Sequence, residues 1–396
     1  MYRSFTLRLR PTKAQQAAFD AILADSCETY NAGLQERREA WKLQRKGVTL
    51  YDQQKELTEL RKDPQFATIA VDIQREPLRR LDRAFQAFFR RCKAGEKPGF
   101  PRFRSRLRYD SFLFNLPAIR EDRIKIPNLG WFRFKTSQPI EGTARTATVK
   151  RLGKKWRIRL VCDVGPAPEK CAVSNPVGID MGLSKFITLS DGSSVDNPRW
   201  TRKHEARIAA ANRLLARKQR RSKNRLRAKE ALRRAHQRAG DARRNFCHHV
   251  SKWLVANYDL IAFEKLNING MVHGTLAKSI LDAAWGELIW QLAYKADYAG
   301  KWAIPVNPRG TSIRCSQCGA DVRKTLADRQ HVCGCGASLD RDHNAAINVL
   351  ALGRSAAGLC PSGNVPMLLP STIRTTGLGM SLAGLVPSES IPITAR

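Results

Sequence analysis

The chain has 396 residues, 70 Lys+Arg against 35 Asp+Glu, a formal charge of +35 and 42% apolar residues. That apolar share excludes a disordered basic tail. Runs of roughly 18 apolar residues are absent, and Arg3, Arg8 and Arg10 break the opening segment, so neither a membrane helix nor a secretory signal is expected and the chain reads as soluble and cytoplasmic.

Residues 2–9 (YRSFTLRL) alternate apolar and polar side chains, the period of a half-buried strand. Thr12 and Gln15 then stand at capping-box spacing, and Phe19, Ile22, Leu23 and Tyr30 recur on one helical face. Leu78, Leu81, Phe85 and Phe88 form a second apolar stripe, with Arg79, Arg80, Arg83 and Arg90 expected on its solvent side. From Lys97 the run KPGFPRFRSRLRYDSF is punctuated by Pro98, Gly99 and Pro101 and cannot be helical. Residues 90–108 hold eight basic residues and one acid, Glu96. Arg90, Arg91, Lys97, Arg102, Arg104 and Arg106, interleaved with Phe100 and Phe103, suit a nucleic-acid backbone with a base stacked beside it; a solvated loop with two anchoring aromatics is the alternative. Residues 108–163 read as strands that pair with the amino-terminal one, making residues 13–95 a helical insertion into a small barrel.

In NPVGIDMGLSKFITLSDGSS, Val177 and Ile179 alternate as in a strand that delivers Asp180, Phe186 to Leu189 form the next strand, and Gly178 and Gly182 leave space near the carboxylate. Residues 202–244 carry 17 basic and three acidic residues around Ile208, Leu214, Leu215 and Leu226. They read as a long helix or helical hairpin that repels itself unless phosphate lies against it, with Arg217, Arg220 and Arg221 as candidate contacts. YDLIAFEKLNI is a short buried strand ending at Glu264, and LDRDHNAAINVLALG starts a helix at Asp342 that Gly353 is expected to end. Two carboxylates at strand ends and one at a helix start, in so cationic a chain, offer the hard oxygen ligands magnesium takes. Two such ions can activate water and stabilise the leaving oxygen of a phosphodiester.

Cys315, Cys318, Cys333 and Cys335 lie within 21 residues, whereas the other six cysteines stand alone. Clustered thiolates in a reducing compartment point to structural zinc, with His331 as a substitute ligand for the irregular Cys-x-Cys half. After Gly353 the sequence is nearly uncharged and aperiodic, and residues 357–396 read as a tail outside the fold.

GIDMGL, IAFEKLN, the cysteine knuckles and DRDHNAAINVL, in this order, resemble the TnpB (OrfB) proteins of bacterial insertion sequences, relatives of type V CRISPR effectors; KPGFPRFRSR and the capped first helix resemble their amino-terminal half. The resemblance implies an α+β multidomain protein. Residues 1–12 and 96–170 would form a wedge-like β-barrel with the 13–95 helical recognition insertion. Residues 171–310 and 340–356 would form an RNase H-like (RuvC) α/β domain, and residues 311–339 its zinc ribbon. It implies a catalytic triad of Asp180, Glu264 and Asp342, the last chosen over Asp340 by the Asp-x-Asn-Ala-Ala pattern, with Asp180 bridging two magnesium ions. It also implies a guide RNA from the element's end, a double-stranded DNA target, and a 3′ gene end that overlaps the guide, which would explain the tail. The competing readings are a strand-joining transposase and a catalytically silent RNA-guided repressor. No His-x-His pair is present for a tyrosine transposase, and no carboxylate of the triad is lost.

Overall fold

The alternation of residues 2–9 becomes strand β1 (Tyr2–Leu9), with Phe5, Leu7 and Leu9 buried, in a computed structural model that describes residues 1–359 except Ser137, Lys154, Leu326 and Ala327. Two compact units follow one another in the chain, Met1–Pro166 and a second from Ala167 onward.

In the first unit, helix α1 (Lys13–Gln44) begins at the Thr12–Gln15 capping box, both halves of which are made. Helices α2 (Leu50–Leu60) and α3 (Val71–Lys93) follow, then strands β2 (Ser111–Asn115), β3 (Ile119–Arg120), β4 (Arg123–Ile126), β5 (Gly130–Lys135), β6 (Thr143–Leu152) and β7 (Lys155–Asp163). These join β1 in an antiparallel sheet of order β2-β6-β7-β1-β5-β4-β3. The amino-terminal strand thus pairs with β7 along its whole length and with β5 at its end. The barrel expected from the sequence is open: β2 and β3 are edges with no pairing between them among the described residues. Phe19 of α1 explains why. Its ring lies 5.5 Å from Phe112 on β2 and 4.8 Å from both Phe132 on β5 and Trp156 on β7. In a flat sheet β2 and β5 would be about 19 Å apart, so the sheet is bent around the helix, and α1 fills the space that further strands would otherwise enclose.

The second unit opens with β8 (Pro176–Met181), β9 (Lys185–Leu189) and β10 (Ser194–Asp196), then helices α4 (Trp200–Ala216) and α5 (Lys223–Asn257). Strand β11 (Leu260–Glu264), helices α6 (Ile268–Met271), α7 (Ala277–Ala283) and α8 (Trp285–Tyr298), and strand β12 (Trp302–Val306) complete the sheet, followed by the small hairpin β13 (Gln330–Val332) and β14 (Ser338–Asp340) and helix α9 (Arg341–Ala356). The sheet order is β10-β9-β8-β11-β12, with β8, β11 and β12 parallel and the β8–β9 and β9–β10 pairs antiparallel. Both faces are covered. Val177, Ile179, Ile261 and Phe263 pack with α5 and α8, while Leu260 and Ala262 pack with Val349 of α9. The period of two therefore puts Gly178, Asp180 and Glu264 on the α9 side of the sheet.

The backbone of α9 lies directly on that face. A Cβ at Gly178 would stand 2.1 Å from the Ala346 carbonyl oxygen and 2.5 Å from the Leu350 nitrogen, and one at Gly353 would stand 2.3 Å from the Ala262 Cβ. Two expectations are corrected by this approach. Gly353 does not end the helix, which runs on to Ala356, but lets it touch β11. The space at Gly178 is filled by the helix.

Residues 202–244 fold as the α4–α5 hairpin, and no residue of α4 is buried. Among the described residues no helix is long and apolar enough to cross a membrane. Of the expected tail, residues 360–396 lie outside the described residues.

Candidate functional site

Asp180, Glu264 and Asp342 meet at one end of the second unit's sheet. Asp180 comes from β8, Glu264 is the last residue of β11, and Asp342 sits in the first turn of α9. Asp340 caps that helix, its Oδ1 accepting the amides of Asp342 (2.9 Å) and His343 (3.3 Å), which separates the two acids chemically. The Asp342 Oδ2 atom lies 3.9 Å from where a Gly182 Cβ would stand, so Gly182 does border the carboxylates as its position suggested. Burial, together with the charges of Glu264 and Asp342, pushes the Asp180 carboxyl up to about 8. Burial also raises Glu264, which is 7% exposed, against the lowering effect of a hydrogen bond from the Thr311 hydroxyl to Oε1 at 2.5 Å. Arg341 Nε stands 3.4 Å from Asp342 Oδ1. Nothing in the local sequence around Thr311 or Arg341 marked either residue as part of this site.

The four clustered cysteines are also brought together. Cys315 Sγ lies 3.8 Å from Cys335 Sγ, Cys318 Sγ lies 3.5 Å from Cys333 Sγ, and all four sulfurs fall within 4.8 Å of one another. A tetrahedron of thiolates about 2.3 Å from zinc has sulfurs about 3.8 Å apart, so the donor set fits that ion. Gly319 and Gly336, both with positive φ, follow the two knuckles, and the irregular Cys-x-Cys half still delivers both sulfurs. Burial opposes ionisation of Cys315, yet the Cys318 and Gln317 amides hold it down at about 6. Cys318 goes the other way: the Ala320 amide favours its thiolate, but sharing protons with Cys335 and Cys333 takes it up to about 12. His331 is fully buried on β13 with Nδ1 bonded to Lys324 Nζ; it is not one of the four grouped ligands, but its side chain adjoins Cys315 and favours that thiolate. Among the described residues only the cysteines form so tight a group of metal-ligand atoms; the three carboxylates stand wider.

Arg90, Arg91, Lys97, Arg102, Arg104 and Arg106 are all exposed. Arg106 is paired with Glu28, and the Arg104 guanidinium lies 5.0 Å over the Tyr30 ring. Of the arginines expected on the solvent side of the α3 stripe, Arg83 and Arg90 are exposed, whereas Arg80 is half-buried; Arg80 and Arg83 both pair with the buried Glu76. Phe100 packs edge-on against Phe85 (5.5 Å) and Phe88 (5.3 Å), and Phe89, which the sequence did not single out, is the more exposed ring at 60%. Arg217, Arg220 and Arg221 are exposed around the α4–α5 turn, where Arg220, Arg221, Arg225 and Lys229 line a cleft of about 480 Å³.

Three family models match the chain: one described as "Probable transposase" (OrfB_IS605) over residues 159–274, a "Cas12f1-like, TNB domain" over residues 285–349, and a "Helix-turn-helix domain" (HTH_OrfB_IS605) over residues 1–46. The last stretch contains a strand and one uninterrupted 32-residue helix. A solved structure titled as a Cas12f1–sgRNA–target DNA complex shares the fold with a TM-score of 0.57 at 15% identity, covering 85% of this chain and 83% of that one. The chain is 30% identical over 301 residues to the "Putative RNA-guided DNA endonuclease InsQ" of Escherichia coli K12, covering 71% of this chain and 74% of that protein. It is 32% identical over 382 residues, 92% of each chain, to a "Putative RNA-guided DNA endonuclease" of Streptomyces pristinaespiralis. Sharing this identity over nearly its whole length, the chain belongs to the TnpB (OrfB) family of insertion-sequence proteins.

Proposed function

We propose that the protein is an RNA-guided, metal-dependent DNA endonuclease of a transposable element, with Asp180, Glu264 and Asp342 as its catalytic residues. The observation that carries this reading is the meeting of three acids, from β8, β11 and α9, within a chain of charge +35. The names of the two bacterial relatives support it. So does the RNase H-like sheet order, three strands antiparallel and two added in parallel.

The donors fit two magnesium ions: all are hard oxygens, and Asp180, held up at about 8 by burial and two neighbouring charges, is relieved by a divalent cation. Asp180 would serve both ions, and Glu264 and Asp342 one each. When bound, magnesium supplies an activated water and neutralises charge on the departing 3′ oxygen. The buried end of β11 keeps Glu264 away from bulk water, and the Asp340 cap fixes the first turn that carries Asp342. A guide RNA would read the target by base pairing, so the chain needs cationic grooves more than base-reading side chains. The test is a plasmid with a guide-matched site, incubated with the purified complex and magnesium. Guided cleavage that stops in EDTA is expected, and cleavage independent of the guide would reject the reading.

The cationic surfaces are proposed to hold that RNA and its target. Replacing Arg91, Lys97 and Arg102 by Glu is expected to weaken guide-RNA affinity about 10²-fold at low salt, with the deficit shrinking as salt rises. Filter binding across a salt series checks this, and an unchanged affinity would remove the patch from the surface.

Zinc is proposed at the four-sulfur cluster, which leaves no open coordination position, so its role there is structural. Elemental analysis should find one zinc per wild-type chain and none in Cys315→Ala/Cys318→Ala. Equal metal in both would place any zinc elsewhere.

A further inference from the structure

Helix α9 and strand β11 are tied to the start of the cysteine ribbon by a set of side-chain hydrogen bonds. After β12 the chain turns at Pro308 and Gly310 (φ +84) and brings Thr311, 3% exposed, back to the end of β11. The Thr311 hydroxyl has one hydrogen and two acceptors in reach, Glu264 Oε1 at 2.5 Å and the Pro308 carbonyl at 3.0 Å. An ionised carboxylate is the stronger acceptor, and 2.5 Å is the length of a charge-assisted O–H···O⁻ bond. From α9, Asn348 Nδ2 donates to the carbonyls of Thr311 (2.8 Å) and Arg314 (2.7 Å). Asn344, fully buried, donates to Arg314 O at 2.8 Å and accepts the Ser316 amide at 2.9 Å. Both hydrogens of Asn348 and both lone pairs of the Arg314 carbonyl are thereby engaged. The segment that leads into Cys315 is thus bonded on one side to Glu264 and on the other to the helix that carries Asp342.

We infer that Thr311 is the positioning residue for Glu264, holding one carboxylate oxygen so that the other would be left for a metal ion, and that the 311–316 segment splints Glu264 to the α9 helix of Asp342. This rests on the proposed carboxylate centre. Removing the hydroxyl alone frees Glu264 to rotate, and partners of this kind typically alter metal affinity by about 10- to 100-fold. The methyl group of Thr311 contributes packing only, so serine should replace threonine and valine should not.

The experiment uses the full chain bound to its guide RNA, as wild type, Thr311→Val, Thr311→Ser and Glu264→Ala. Manganese binding is measured by calorimetry, with Glu264→Ala as the blank for ions held by the RNA, and magnesium is titrated in the cleavage assay. Thr311→Val should bind manganese at least about tenfold more weakly and raise half-saturating magnesium by a similar factor, with its RNA content and zinc content unchanged and its melting temperature only modestly lowered by the unpaired carboxylate oxygen. Thr311→Ser should stay within about threefold of wild type. If Thr311→Val fails to fold, Thr311→Ala takes its place. Wild-type manganese binding in Thr311→Val, beside a defective Glu264→Ala, would overturn the role of Thr311 alone, as would equal defects in the valine and serine variants. A Glu264→Ala complex that binds manganese like wild type would overturn the carboxylate centre and this inference with it.

Discussion

Asp180→Ala is expected to lower guided cleavage by on the order of 10⁴-fold or more while the complex still holds its guide and its matched DNA. Asp180 lies beside both Glu264 and Asp342 and is the ligand proposed to serve both ions, whereas the cationic surfaces lie on other elements. Cleavage of a matched plasmid, with gel-shift binding measured in parallel, decides the matter; wild-type cutting would remove Asp180 from the catalytic residues. The same carboxyl links stability to pH. Its folded-state value of about 8 lies above the ordinary 3.8, so the protonated form favours folding, and metal-free protein loses that contribution progressively as pH rises from 3.8 to about 8. Asp180→Asn keeps the shape without the charge. Its melting temperature without metal should therefore exceed that of wild type most clearly above pH 8, and magnesium should raise wild type more than the variant.

Gly178→Ala should be as damaging as any single methyl group can be. The added carbon meets backbone, the Ala346 carbonyl and the Leu350 nitrogen, and neither can move without shifting α9 as a body. Overpacking a core commonly costs about 1–3 kcal/mol, and a clash with helix backbone belongs above that range. The expected result is a melting temperature lowered by more than about 5 °C, together with lost cleavage as Asp342 leaves its place. Gly353→Ala provides the contrast, because its added carbon meets the Ala262 side chain. Ala262→Gly should restore much of the stability of Gly353→Ala and none of that of Gly178→Ala. Thermal melts of the two double variants measure the coupling, and rescue of Gly178→Ala would show that α9 can slide.

What was legible in the sequence is what local geometry encodes. The Thr12–Gln15 box, the alternation in β1, the short apolar runs of β8 and β11, and the two cysteine knuckles each depend on neighbours a few residues away. The features that escaped depend on partners far along the chain. Gly353 looks like a terminator until β11 is placed beneath it, and Arg80 looks solvent-facing until Glu76 is found buried beside it. A barrel is the natural reading of so many alternating strands, and only the Phe19 ring, reaching β2, β5 and β7 at once, shows that a helix occupies the space. Thr311 was invisible because a threonine after a turn has many ordinary reasons to be there. Its 2.5 Å bond to a residue 47 positions earlier distinguishes it.

The position of α9 has a bearing on how such a protein comes into being. Asp180 is translated first and Asp342 comes 162 residues later, on the last helix among the described residues. At about 5–20 residues per second, roughly 8–30 s of synthesis separate them. Throughout that interval β8 has no helix over its α9 face, and once β11 is made Asp180 and Glu264 still have no third acid beside them. A prematurely terminated product lacking α9 carries every cationic surface described above and no complete carboxylate trio. Such a product would also leave Leu260 and Ala262 without the Val349 side chain that covers them, so closure of the sheet's second face and completion of the trio arrive together with α9.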